Sequence, residues 1–273
     1  DSFIMIIDEW DAICREFEPH SKVMDAFVNW LRRMFKGGDS LDVFAGVYMT
    51  GILPIKKYKT ESALNNFMEY SVTSPMNMSR FFGFTSSEVK KLCEDNGRDF
   101  NEMVQWYDGY TIGTESSIFN PNSVMMALMA GYCRSFWAKT GAYDHVATYI
   151  DMNFEGLKDD IIYMLAGGRC DVETNSFGND LNIVRSKDEV LTVLIHLGYL
   201  AYDFEEEQCY IPNYEVRLEM ENAIKSSGWQ VAKAITGSKK LLNATLALDA
   251  DYVAQAIDKA HDENTSILSY NDE

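Results

Sequence analysis

Basic residues are scarce in this chain: 24 lysines and arginines stand against 42 aspartates and glutamates in 273 residues, a formal charge of −18. At physiological salt that excess repels phosphate backbones and anionic lipid, so nucleic acid is an unfavourable partner and membrane association is not expected. Cysteine is sparse too. Cys14, Cys93, Cys133, Cys170 and Cys209 are odd in number, far apart and without a CxxC spacing, which points to neither a disulfide framework nor a zinc site and fits a reducing cytoplasm. No apolar run reaches the ~18 residues that cross a bilayer, and no basic segment followed by an apolar one precedes Phe3, so neither a membrane span nor a signal peptide is expected. The four histidines share no HExxH-like spacing, and His196, inside an apolar helical pattern, reads as a packing residue. There is no G-x-S-x-G, and no cysteine carries a local catalytic signature.

What the chain does have is apolar residues, 47% of the total, enough to fill one large domain or two smaller ones. The run Phe3 to Ile7 is continuous rather than alternating, which predicts a strand buried on both faces of a parallel sheet. Apolar residues at helical spacing from His20 to Phe35, closed by "KGGDS", predict a helix, and "LDVFAGVYMTGI" predicts a second strand ending at Thr50 and Gly51. Strand, helix and strand in that order make a parallel crossover unit. Helices are then expected over Glu61 to Tyr70, from Thr85 with a capping box to Glu88, over Asn101 to Tyr107, after Pro121, over Ala142 to Asp151 and over Leu157 to Leu165. From Lys187 to Leu197 a helix with Val190, Leu191, Leu194 and Leu197 on one face precedes "GYLAYDF", "EEEQ" and "CYIPN", read as a hairpin around an acidic turn. Helix then hairpin is the pattern of a winged helix. Beyond Trp229 an amphipathic stripe of Val253, Ala256, Ile257 and Ala260 predicts further helix.

The chemistry concentrates where the first strand ends, in "FIMIIDEWD". An apolar strand delivering Asp8 and then Glu9 has the form of a Walker B strand, in which the aspartate enters the shell of a magnesium ion and the glutamate orients the attacking water. Two carboxylates opening a loop would look the same. The blocks "IMIIDEWD", "VYMTGILPIKKY", "ESALNNFMEYS", "FFGFTSSEVKKLC", "WYDGYTIG", "FNPNSVMMAL", "LTVLIHLGYLAYD" and "YIPNYEVRLE" together resemble, in order and over the whole chain, the bacterial AAA-ATPase-like family. These are STAND-type P-loop proteins commonly fused to a C-terminal PD-(D/E)XK nuclease-like domain. The resemblance implies an α/β plus α fold: a partial P-loop-type parallel sheet with flanking helices in residues 1–120, a helical and winged-helix region in 121–228, and a helical linker in 229–273. It implies ATP and Mg as cofactors, Asp8 as metal ligand and cofactor contact, Glu9 as catalytic residue, Thr50 as a sensor of the nucleotide and Pro121 as a contact to adenine. "WYDGY" has two readings, Trp106 and Tyr107 stacking on a base with Asp108 on a ribose, or an aromatic corner anchoring a turn at Gly109.

The pattern departs from the family at both ends. A phosphate loop needs G-x-x-x-x-G-K-[ST] so that glycine amides approach the phosphates and a lysine reaches them. None of the seventeen glycines is followed by lysine. The resemblance places that loop and its strand before Phe3, and the nuclease-like residues after Glu273. Residues 1–273 alone are therefore expected neither to bind ATP tightly nor to hydrolyse it. The other expectation is a non-catalytic module derived from the family, binding protein partners or a second copy through its winged helix and C-terminal helices.

Overall fold

The computed structural model describes residues 2–13, 17, 21–37, 43–52, 66–137, 154, 156–175, 177, 184–226 and 244–258. It is a mixed α/β chain with small parallel and antiparallel sheets. Two compact units divide it, Asp1–Met220 and Glu221–Glu273.

In the first unit, strand β1 (Phe3–Ile7) and strand β2 (Phe44–Met49) pair in parallel, Ile7 opposite Met49. Helix α1 (Lys22–Lys36) lies between them in sequence. It starts where Ser21 accepts a hydrogen bond from the Met24 amide, and it ends in Arg33 and Lys36, cations that suit the negative end of its dipole. Met24, Leu31 and Phe35 of α1 form a core with Trp10, against which Met5, Ile7, Val47 and Met49 pack. On the opposite face of β1, Ile4 is 76% and Ile6 72% exposed. A strand covered on both faces was the expectation from its continuous apolar run; the described residues cover one face, because α1 supplies a single helical layer.

A 3-10 turn (Met76–Phe81) leads into a three-stranded antiparallel sheet in the order β3 (Phe84–Thr85), β5 (Glu115–Phe119), β4 (Tyr110–Ile112). Between β3 and β4 run α2 (Ser86–Asn96) and α3 (Phe100–Tyr107). The expected capping box opens α2, the Thr85 amide donating to Glu88 Oε2 at 2.8 Å. Pro121 is the first residue of α4 (Pro121–Ala130), with Asn120 capping the Asn122 and Ser123 amides. Val89, Cys93, Met103, Tyr107, Phe119, Val124 and Ala127 from these elements make the second core.

Helix α5 (Leu157–Leu165) and strand β6 (Cys170–Asp171) precede α6 (Lys187–His196), β7 (Ala201–Asp203) and β8 (Gln208–Tyr210), and these strands form a sheet in the order β6, β8, β7. The sequence predicts one apolar face on α6. Instead every residue from Val190 to Ile195 is buried, as befits a helix enclosed all round. Helix α7 (Tyr214–Ser226) contains the division between the units. In the second unit residues 244–246 and 250–258 are helical, with Val253 and Ala256 half-buried and Ile257 exposed. The helix expected over Glu61 to Tyr70 lies outside the described residues up to 65, and residues 66–70 are turn and coil. The helix expected over Ala142 to Asp151 lies wholly outside them, as does Ala260.

Candidate functional site

Parallel pairing in this register brings the carboxyl ends of β1 and β2 side by side. Asp8 and Thr50 follow the paired residues Ile7 and Met49, and the Thr50 hydroxyl donates to Asp8 Oδ1. The Thr50 amide donates to the Ile7 carbonyl at 2.9 Å and the Trp10 amide to the Thr50 carbonyl at 2.9 Å, so the threonine backbone is stitched to β1 on both sides of its side chain. The Glu9 amide closes the corner, 3.1 Å from Asp8 Oδ1 and 3.4 Å from Thr50 Oγ1. Glu9 has φ +51, a left-handed conformation uncommon outside glycine. There the chain leaves the strand, and Asp8 and Glu9 are both exposed.

Beneath this corner sit two side chains that sequence reasoning passed over. Trp10 and Asp11 are buried, and Asp11 Oδ2 accepts the Ile52 amide at 3.2 Å. A Cβ on Gly51 would lie 2.7 Å from Trp10 Cδ1 and Nε1 and 2.8 Å from Asp11 Oδ1, so glycine lets the β2 end lie flat on the indole. The only sequence signal was the third acidic residue of "DEWD", and an acid on a loop carries no mark of burial.

Alongside β2 runs a cavity of about 890 Å³. Its lining includes Phe44 to Ile52 without a break, Phe67, Tyr70, Phe82 and His196. The cavity therefore follows the length of the strand and takes in Thr50 and Gly51 beyond its end. His196 is stacked on Phe177 with ring centres 5.8 Å apart, and desolvation lowers its imidazole to about 4. It is the packing residue that its apolar helix predicts.

Asp8, Glu9 and Thr50 are thus brought together, whereas Pro121 heads α4, whose Val124 and Ala127 belong to the second core. "WYDGY" forms an aromatic corner. Tyr107 is buried, its hydroxyl donating to the Arg134 carbonyl at 2.8 Å and accepting the Arg134 amide at 3.0 Å. Asp108 accepts the Ser117 hydroxyl at 2.8 Å and the Gly109 amide at 2.7 Å, and burial raises its carboxyl above the ordinary range. Trp106 stands edge-on to Tyr214, centres 4.7 Å apart. Gly109, with φ +115, passes so close to Pro212 that a Cβ would overlap its carbonyl. All three side chains are committed to protein contacts, which favours the anchoring reading over base stacking.

Among the described residues no group of three or more His, Cys, Asp or Glu side chains is placed to hold a metal ion. What the corner offers is one carboxylate and one hydroxyl, both hard oxygen donors facing solvent. That donor set suits magnesium, which takes one or two carboxylates and completes its octahedron with water and phosphate oxygens. No described helix is long and apolar enough to cross a membrane.

Comparison with known proteins yields one weak relationship. The chain is 26% identical over 143 residues to a protein of Azotobacter chroococcum mcd 1 described as "Uncharacterized protein in vnfD 5'region", an alignment covering 50% of this chain and 27% of that protein. No family model matches the chain, and no solved structure matches it significantly.

Proposed function

We propose that this chain carries the Walker B half of a nucleotide site, in the regulatory ATPase domain of a STAND-like protein resembling the bacterial AAA-ATPase-like family. The observation that carries the reading is the Thr50 hydroxyl donating to Asp8 at the carboxyl ends of two adjacent parallel strands, the end of an open α/β sheet where ligands bind. In this reading Asp8 holds Mg, Glu9 orients water, and Thr50 links the state of the nucleotide to β2. When bound, the ion neutralises phosphate charge. Pro121, as an adenine contact, rests on the family resemblance alone.

The sheet is read as part of a P-loop-type sheet. A strand six residues long, like β2, runs ~20 Å, and with a strand spacing of ~4.8 Å and a sheet depth of ~10 Å it occupies ~950 Å³. The cavity along β2, about 890 Å³, is of similar size, which supports this reading. Helix α6 with the β7–β8 hairpin is read as a winged helix. Its turn carries Glu205, Glu206 and Glu207, and Asp203 accepts the Glu205 and Glu206 amides. A wing that tracks phosphates carries cations, so this one is assigned to protein contacts; sub-micromolar, salt-dependent binding to random duplex DNA would overturn that assignment.

The deciding experiment compares Asp8→Asn and Glu9→Gln in the full-length protein by titration with Mg-ATP and by phosphate release. Asp8→Asn is expected to weaken magnesium-dependent binding about tenfold or more, a loss of ~1.4 kcal/mol. Glu9→Gln is expected to keep binding and lose hydrolysis, since an amide fills the space but does not take a proton from water. Equal small losses of thermal stability with unchanged binding and turnover in both would leave the pair as loop carboxylates. Residues 1–273 alone are expected to bind Mg-ATP no tighter than millimolar, because they hold no glycine-lysine phosphate cradle.

A further inference from the structure

Cys170 and Cys209 stand directly opposite one another on the antiparallel strands β6 and β8. The Val172 amide donates to the Glu207 carbonyl at 3.0 Å two positions along, so by alternation Cys170 and Cys209 occupy a hydrogen-bonded position of the ladder. Residues paired in this way have Cα atoms ~5.5 Å apart, within the ~4.4–6.8 Å that a disulfide spans, and their Cβ atoms, ~5.5 Å apart at such a position, have to approach to ~3.5–4.5 Å for the bond to close. Opposed residues project to one face of the sheet, and the contacts agree. Cys170 Sγ lies 3.6 Å from the Asp160 carbonyl and Cys209 Sγ lies 3.8 Å from Met164 Sδ, one helical turn apart on α5. Both are free thiols. Their separation in sequence hid the pair, because only the register of an edge strand brings them face to face.

We propose that Cys170 and Cys209 form a reversible redox site that closes into a cross-strand disulfide by exchange with a low-molecular-weight disulfide. The Cys170 thiolate attacks one sulfur of the reagent and expels the first small thiolate, leaving a mixed disulfide. The Cys209 thiolate then attacks the Cys170 sulfur and expels the second. Two protein thiols are oxidised, the reagent is reduced to two small thiols, and these take up the two protons that the cysteines lose.

Cys170 is the residue of entry. It lies on a two-residue strand at the sheet edge and is 7% exposed, whereas Cys209 lies on the central strand and is 0% exposed. Burial pushes the Cys170 thiol up to about 11 and the Cys209 thiol further, with Asp160 adding to both and Lys187 opposing. Thiolate is therefore scarce at neutral pH, and exchange waits on fraying of the edge strand. Once closed, the bond ties β6 to the hairpin.

The test incubates the whole folded chain with oxidised glutathione, quenches it in acid, alkylates the remaining thiols and maps the peptides by mass spectrometry. The expected product is a Cys170–Cys209 linked peptide, lighter than the two reduced peptides by two hydrogens and released by dithiothreitol. In Cys209→Ser, a glutathione adduct on Cys170 is expected to accumulate in its place. With Cys14, Cys93 and Cys133 all changed to serine, the link is expected to persist. The proposal is overturned if Cys170 and Cys209 of the native chain stay fully alkylatable, or if they link to Cys14, Cys93 or Cys133. Mapping of the native chain decides this even where a variant fails to fold.

Discussion

The Thr50 hydroxyl donates to the Asp8 carboxylate across forty-two positions of sequence. Because Ile7 and Met49 are paired, each strand delivers one member of the contact at the residue just after its end. Thr50→Val and Asp8→Ala are each expected to cost ~0.5–1.5 kcal/mol of stability. The double variant is expected to cost less than their sum, since both remove the same bond. Urea unfolding of the four proteins measures the coupling; strict additivity would mean that the bond contributes nothing.

Gly51→Ala is expected to destabilise by ~1–3 kcal/mol. Its new Cβ falls 2.7 Å from the Trp10 ring, and the indole is buried and cannot swing away without disturbing the first core. Tryptophan emission should shift to the red as Trp10 is displaced. An unchanged spectrum and melting temperature would refute the close packing of β2 on Trp10.

Two glycines with positive φ separate conformational strain from collision. At Gly97, φ +61 at the end of α2, an added Cβ would meet nothing within 4 Å, whereas at Gly109, φ +115, a Cβ meets the Pro212 backbone. Gly97→Ala should cost ~1 kcal/mol. Gly109→Ala should cost at least ~3 kcal/mol or prevent folding, because a main-chain carbonyl has no rotamer by which to yield. Thermal melts of the two variants compare them directly, and equal losses would contradict the Gly109–Pro212 approach.

His196 is expected to make the fold acid-sensitive. Desolvation lowers its pKa from 6.5 to about 4, so between those values the unfolded chain binds the proton and the folded chain does not. Stability from this group therefore rises with pH through that window and is lost on acidification. His196→Leu, which cannot take up a proton, should flatten the stability profile between pH 6.5 and about 4. Denaturant midpoints across that range test it; an unchanged slope would show that His196 titrates normally in the fold.

The local elements were legible in the sequence because their determinants are local. The Thr85 and Glu88 capping box, Pro121 at the start of α4 and the bounds of α5 follow from caps, proline geometry and helical spacing. Asp8, Glu9 and Thr50 could be picked out by the same means, since each lies where an apolar strand ends. That Asp8 and Thr50 touch could not, because contact depends on the parallel register of β1 and β2. Tertiary structure alone also decided that Asp11 lies buried against the end of β2, that α6 is enclosed on all sides, that Ile4 and Ile6 stand exposed, and that Cys170 faces Cys209. Periodicity along one segment reports which residues share a face of it; what covers that face is set by segments distant in sequence, whose placement depends on register and packing.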